Sequence, residues 1–213
     1  MLTVHHLGVS QSERIVWLCE ELAIPYELRR YQRDPVTRLA PAGYQAIHPF
    51  GTAPVITDGD WILAETGAIV EFIIHRHGGG RLAVSPTGAN YADYLHWFHF
   101  ANGSLMPAMM IELVGKAVSG ERKQELSRAL GIRTERAYRM MEERLGAADY
   151  FAGAEFTAAD VMMVFPLTTM RLFAPRDLGA YPAIRAFLQR IGARPAYQRA
   201  MHKADPDLVP QLS

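Results

Sequence analysis

Two clusters of residues in this chain have the types and spacing to hold a small charged peptide. The first is Pro49-Phe50-Gly51-Thr52-Ala53-Pro54-Val55-Ile56, followed by Glu65-Thr66. It reads as a loop, a proline-led strand entry, a short hairpin and a helix start. An X-Pro bond takes the cis form at modest cost. A cis Ala53-Pro54 bond would turn the Ala53 N–H and C=O outward, to pair with an extended ligand as a strand does. Glu65-Thr66 sets a carboxylate and a hydroxyl at a helix N-terminus, where free N–H groups and the helix dipole favour an anion. The second cluster is Ser10 with Gln11-Ser12-Glu13-Arg14, at a strand-to-helix junction. There a hydroxyl joins the N–H groups and the dipole in facing an anion. Each cluster has a plainer reading: Ser10 or Ser12 as a helix cap, and Glu65 as a carboxylate favoured in the first turn.

These residues depend on the elements around them. Leu2-Thr3-Val4-His5-His6 has the pattern of a short strand. A helix opens at Ser12-Glu13-Arg14, with Ile15, Val16, Leu18, Cys19 and Leu22 as its apolar stripe, and Ile24-Pro25 ends it. Tyr26 to Tyr31 alternates like a second strand. A short irregular helix is expected around Pro41 to Ile47. Pro54 to Thr57 and Trp61 to Ala64 flank the turn Asp58-Gly59-Asp60 as a hairpin. Glu65 to His77 is a helix, stopped by Gly78-Gly79-Gly80. A β-α-β unit followed by a β-β-α unit makes an α/β domain with a mixed four-stranded sheet. From Gly88 onward strand signals vanish. Helical runs at Ala89 to Lys116, Glu121 to Ala148, Ala158 to Leu172, Tyr181 to Ile191 and Ala196 to Met201 predict an all-α bundle. The expected division is a first domain over 1–78, a linker over 79–88 and a helical domain over 89–213. The tail from Asp205 to Ser213, with its two prolines, is expected to be loosely held.

The composition excludes several classes. Lys plus Arg number 22 and so do Asp plus Glu, so no charge excess points to nucleic acid. No apolar run is long enough to span a bilayer, and the N-terminus lacks the basic segment and apolar core of a signal peptide. A single cysteine, Cys19, excludes an internal disulfide and argues against a cysteine-based zinc site. A cytoplasmic location is the default expectation. His96 and His99 stand one turn apart and His5-His6 are adjacent. Neither pair has an acidic or cysteine partner at ligand spacing, so no metal is expected.

Taken in order, four segments carry a resemblance that covers essentially the whole chain: Val9-Ser10-Gln11-Ser12-Glu13-Arg14, His48-Pro49-Phe50-Gly51-Thr52-Ala53-Pro54-Val55, Glu65-Thr66 and Phe156-Thr157-Ala158-Ala159-Asp160. The chain resembles the cytosolic glutathione S-transferases, and within them a serine-type bacterial or theta-like member. The resemblance implies a thioredoxin-like N-terminal domain that holds glutathione. It also implies a helical domain that forms much of the pocket for a hydrophobic electrophile, in a homodimer. Ser10 matches the serine that donates to the glutathione sulfur. Lowering a thiol from its usual ~8.5 by about two units requires roughly 2.7 kcal/mol of preference for the thiolate, a task for charge-assisted hydrogen bonds. The resemblance further implies backbone pairing at Ala53 beside Pro54, Thr66 on the γ-glutamyl carboxylate and Glu65 on the γ-glutamyl ammonium. Asn102 is the candidate that would approach the γ-glutamyl amine across a dimer. Thr157 to Asp160 is expected as a capping box, a folding element.

One position departs from the family pattern. Thr52 stands where many relatives have a lysine that meets the glycyl carboxylate, so Gln45, His48 and Arg38 become candidate substitutes. His48 stands where many relatives have asparagine, and a structural loop role is its plainer reading. Leu7, Met106, Met109 and Met110 are expected in the apolar substrate pocket, because methionine fills irregular space. A Met-aromatic stripe is otherwise simply core. Cys19 lies in the apolar register of its helix and is expected to be buried and inert. Two other functions share the fold and the ligand: glutathione-dependent reduction of peroxides or disulfides, and a non-enzymatic role as a glutathione-binding or interaction scaffold. Thr52 keeps the second of these open.

Overall fold

The computed structural model describes residues 1–117 and 122–213, with side chains outside 116–130. It divides into two units, Met1–Ala83 with Gly192–Pro210, and Val84–Ile191 with Gln211–Ser213.

The first unit is built on four strands, β1 (Leu2–Leu7), β2 (Glu27–Tyr31), β3 (Val55–Asp58) and β4 (Trp61–Ala64), in the order β2-β1-β3-β4. β1 runs parallel to β2 with Val4 opposite Leu28, and antiparallel to β3 with Val4 opposite Ile56. Every residue of β1 is buried, as a central strand covered on both faces requires. Helix α1 (Glu13–Leu22) makes the crossover to β2, and its whole apolar stripe is buried. The β3–β4 hairpin turns through Gly59 at φ +60°, a conformation glycine adopts without steric cost. Helix α2 (Ala42–Gln45) is short, and α3 (Thr66–Arg76) follows β4. This is the expected thioredoxin-like mixed sheet.

The last helix, α9 (Pro195–Ala204), packs on this first unit. The sequence expectation placed it with the helical domain, and the difference has a clear cause. Trp17 of α1 meets Tyr197 edge-on with ring centroids 5.0 Å apart. Arg194 forks onto Glu21 at 2.6 and 2.8 Å, across 173 residues of sequence. Lys203 and Arg199 share the carboxylate of Glu20. The tail is not loosely held either. Asp205 reaches back to β1, and Arg171 donates to the Ser213 carbonyl at 2.8 Å.

The second unit contains α4 (Tyr91–Phe100), a π-helical turn over Ala101–Leu105, α5 (Met106–Ala117), α6 (Arg122–Ala147), α7 (Ala158–Leu167) and α8 (Pro182–Gly192). All ten residues of α7 are buried, which marks it as the central helix of the bundle. The capping box forms as expected: Thr157 Oγ1 accepts from Ala159 N–H, and Asp160 accepts from Thr157 N–H. Phe151 joins the bundle to α4 and α8, with its ring 4.9 Å from Trp97 and 5.1 Å from Phe187. Two expected helical runs are broken. The run from 89 to 116 carries the π-helical turn. The run from 158 to 172 closes early, where Pro166 withholds a ladder N–H and Thr168 Oγ1 donates to Val164 O at 2.9 Å.

Candidate functional site

The first unit places Gly8 to Ser12 between β1 and α1. Val9 has φ +52°. A β-branched residue there costs on the order of 1–3 kcal/mol unless its surroundings enforce it. They do: Val9 N–H donates to Asp205 Oδ1 at 3.1 Å, while Gly8 N–H donates to Tyr31 O and Gly8 O accepts from Arg33 Nε at 2.9 Å. Asp205 and Arg33 hold the loop from segments far away in sequence, and nothing local in the sequence marks either of them.

Ser10 is 5% exposed, and its hydroxyl turns inward. Its Oγ lies 2.6 Å from Leu7 O and 2.7 Å from Ser12 Oγ. The expectation was a hydroxyl facing an anion; in this structure it is bonded within the loop. Ser12 is not a side-chain cap for α1. Its Oγ accepts from Leu7 N–H at 3.1 Å and lies 2.9 Å from His6 Nδ1. The last N–H of β1 needs an acceptor where the sheet ladder ends, and Ser12 supplies it.

Helix α3 begins at Thr66, which is 2% exposed. Its first ladder bond runs from Ile69 N–H to Glu65 O at 2.9 Å. The N–H groups of Thr66 to Ala68 therefore have no intrahelical acceptor. Glu65, exposed, sits at φ +72° and ψ +117° and makes no side-chain cap. Gln11 ties the two helix starts together, a role that no local pattern assigned to it. Its Oε1 accepts from Thr66 Oγ1 at 3.4 Å and from Arg14 Nη1 at 3.0 Å. Arg14 is buried, and desolvation pulls its guanidinium down to about 9.

The Ala53–Pro54 bond is cis. Ala53 packs against the small core cluster of Leu7, Tyr44 and Val55. Leu7 is thus committed to the core of its own unit. Thr52 is exposed. Among its candidate substitutes, Gln45 Nε2 donates to Ala40 O at 2.6 Å, and His48 Nδ1 accepts from Phe50 N–H at 3.3 Å. Both serve their own loops. Arg38 is exposed, with φ +61°.

In the second unit Met106 and Met109 are buried, Met110 is 44% exposed, and Asn102 lies in the π-helical turn. An open cleft of about 350 Å³ lies between the π-helical region and α6, lined by Phe100, Ser104, Ile111, Arg133, Arg136 and Met140 among others. Leu7, Met106, Met109 and Met110 are absent from its walls. Among the described residues no group of three His, Cys, Asp or Glu is placed to hold a metal ion. His5 is satisfied by Tyr31 and Thr57, and burial together with Arg29 lowers its pKa. Cys19 is buried and its thiol is pushed up by desolvation. Among the described residues, no helix is long and apolar enough to cross a membrane.

The comparisons agree with this architecture. Residues 5–81 match the family model for the glutathione S-transferase N-terminal domain, and residues 91–195 match the one for its C-terminal domain. The chain belongs to the glutathione S-transferase family. It is 30% identical to glutathione S-transferase 3 of Schizosaccharomyces pombe, over 100% of this chain and 92% of that one. A crystal structure of a glutathione S-transferase from Actinobacillus pleuropneumoniae superposes with a TM-score of 0.85 at 33% identity, covering 96% of this chain and 93% of the other. A Sulfitobacter glutathione transferase homologue, solved with bound glutathione, shares the fold at a TM-score of 0.77 and 22% identity, over 95% and 98% of the two chains.

Proposed function

We propose that this chain is a serine-type glutathione transferase. Glutathione lies along the first unit with its γ-glutamyl carboxylate at the start of α3 and its sulfur at Ser10. The thiol reacts as the thiolate, with an electrophilic carbon of a hydrophobic second substrate. The observation that carries this reading is the start of α3. Glu65 occupies a backbone conformation that costs on the order of 1–3 kcal/mol, and it does so immediately before the open N–H groups of Thr66 to Ala68. Strain kept at a helix terminus beside a buried hydroxyl supports a binding role for this terminus. Gln11 supports it, because its carboxamide links that terminus to the Ser10 loop.

Ala53 pairs with the peptide through its backbone, beside Pro54. With Gln45 and His48 engaged in their loops, Thr52 leaves the glycyl carboxylate to solvent or to Arg38. The enzyme supplies thiol activation, proximity and a dry environment, and no protein residue is covalently modified. Two copies pair in solution, a reading supported by exposed apolar side chains on α5 (Met110, Ile111, Val114) and α6 (Ile132, Met140).

The test combines glutathione calorimetry with turnover of an aryl halide, a hydroperoxide and a mixed disulfide in parallel. Ser10→Ala is expected to lower the turnover and to raise the apparent pKa of the rate profile. Unchanged turnover with unchanged pH dependence rejects the role of Ser10. Failure to bind glutathione at millimolar levels rejects the whole reading in favour of a scaffold.

A further inference from the structure

Behind Ser10 runs a buried file of hydrogen-bonding groups that thiolate stabilisation by a lone hydroxyl does not call for. Asp205 Oδ2 lies 3.0 Å from His6 Nε2. His6 Nδ1 lies 2.9 Å from Ser12 Oγ. Ser12 Oγ lies 2.7 Å from Ser10 Oγ, which lies 2.6 Å from Leu7 O. His6 and Ser12 are fully buried. A carboxylate only accepts, so a neutral His6 carries its hydrogen on Nε2 and accepts from Ser12 at Nδ1.

This file is one hydrogen short of its contacts. It makes four close contacts. A neutral imidazole and two hydroxyls contribute one hydrogen each, so one contact has none between its atoms. The file has room for one more proton. With that proton on Nδ1, every contact becomes a donor–acceptor pair in one direction: His6 to Ser12, Ser12 to Ser10, and Ser10 to Leu7 O or to a sulfur. The inward turn of the Ser10 hydroxyl is the starting orientation such a transfer needs.

We propose that His6, held by Asp205, receives the proton that the glutathione thiol gives up, passed through Ser10 and Ser12. This rests on the reading of Ser10 as the residue that meets the sulfur. The S–H bond breaks and an O–H bond forms at Ser10. The former Ser10 hydrogen moves to Ser12, and the former Ser12 hydrogen moves to His6 Nδ1. The electron pair stays on sulfur, so the site as a whole keeps its charge. The new Ser10 hydroxyl then donates to the thiolate. Asp205 balances the imidazolium and, through Oδ1, holds Val9 in its left-handed conformation. His6 and Asp205 act through the two serines and are positioning residues. Other charges nearby are Arg33, whose guanidinium Asp205 favours in its charged form against the pull of burial, Arg14 on α1, bonded to Gln11, and the exposed Arg30, opposite His6 on β2.

The test titrates glutathione into the full chain at neutral pH, in buffers of different ionisation heat, while ultraviolet absorbance reports the thiolate. The expected result is thiolate formation with no net proton release. One proton released to buffer per thiolate formed overturns the relay, and this measurement needs no variant. Asp205→Asn supplies a second arm. Its carboxamide oxygen stays on Val9 N–H, and its NH2 faces His6 Nε2. The imidazole hydrogen is forced to Nδ1 and the vacancy is filled. The thiolate-to-thiol ratio of bound glutathione should then fall about tenfold, a rise of about one unit in its apparent pKa. A wild-type titration in Asp205→Asn overturns the relay. If Ser10→Ala shifts the thiol and Asp205→Asn does not, the relay fails while the reading of Ser10 stands. If Ser10→Ala shifts nothing, or glutathione does not bind, both fail.

Discussion

Asp160 is the residue whose removal should cost the most stability for the fewest atoms. Its carboxylate accepts from Phe151 N–H and Thr157 N–H, each at 2.8 Å, and from Thr157 Oγ1 at 3.3 Å. It is 0% exposed. Burial lifts its carboxyl to about 6 against the pull of those donors, so at pH ~7.5 the group is ionised. Asp160→Ala leaves two backbone donors in the interior without an acceptor. Each costs about 1–3 kcal/mol and the lost cap adds about 1 kcal/mol, for a sum of about 3–5 kcal/mol after partial relaxation. Thr157→Ala removes one side-chain acceptor for Ala159 N–H and should cost about 1 kcal/mol. Asp160→Asn keeps one acceptor and turns an NH2 onto the other donor, so it falls between the two. The assay is urea unfolding at pH ~7.5, followed by far-ultraviolet circular dichroism. With a slope of about 3 kcal/mol per molar, Asp160→Ala should lower the midpoint by about 1–1.7 M and Thr157→Ala by about 0.3 M. A smaller shift for Asp160→Ala than for Thr157→Ala would refute the argument that the two buried N–H groups dominate.

Other expectations follow from the same reasoning. Arg194→Ala removes a two-point bond to Glu21 and should cost about 1–2 kcal/mol, with protection of α9 amides against hydrogen exchange lost before that of the sheet; unchanged α9 protection would contradict the docking role. Glu20 is held below the usual carboxylate range, its burial being outweighed by bonds from Lys203, Tyr26 and Arg199. Its stabilisation is therefore present above the unfolded value of about 4.3 and lost as pH falls through the lower folded value, so Glu20→Gln should flatten the acid limb of the stability profile. Cys19 should resist an aromatic disulfide reagent in the native state and react at once in denaturant; rapid native labelling would contradict its burial. Thr66→Val should weaken glutathione binding by about tenfold with little change in unfolding midpoint, as calorimetry and a urea titration would show.

Local pattern alone was enough for much of this protein. The strand pattern of β1, the alternation of β2, the apolar stripe of α1, the Asp-Gly hairpin and the Thr157 to Asp160 box each state their structure within a few residues. Hydrophobic periodicity, turn chemistry and capping are short-range physics. The order of Ser10, Pro54 and Glu65-Thr66 identified the family for the same reason, since those residues act at element termini that the sequence itself marks. What pattern could not reach was where distant segments meet. Helix α9 and Asp205 return to the first unit because Trp17, Glu20, Glu21 and His6 offer partners nearly two hundred positions earlier, and no local signal records such a pairing. The fates of Ser12, Gln11 and Arg14 were likewise decided by tertiary structure. A buried N–H, a hydroxyl or a guanidinium takes whichever partner the packed interior brings within about 3 Å, and only the folded chain determines which one that is.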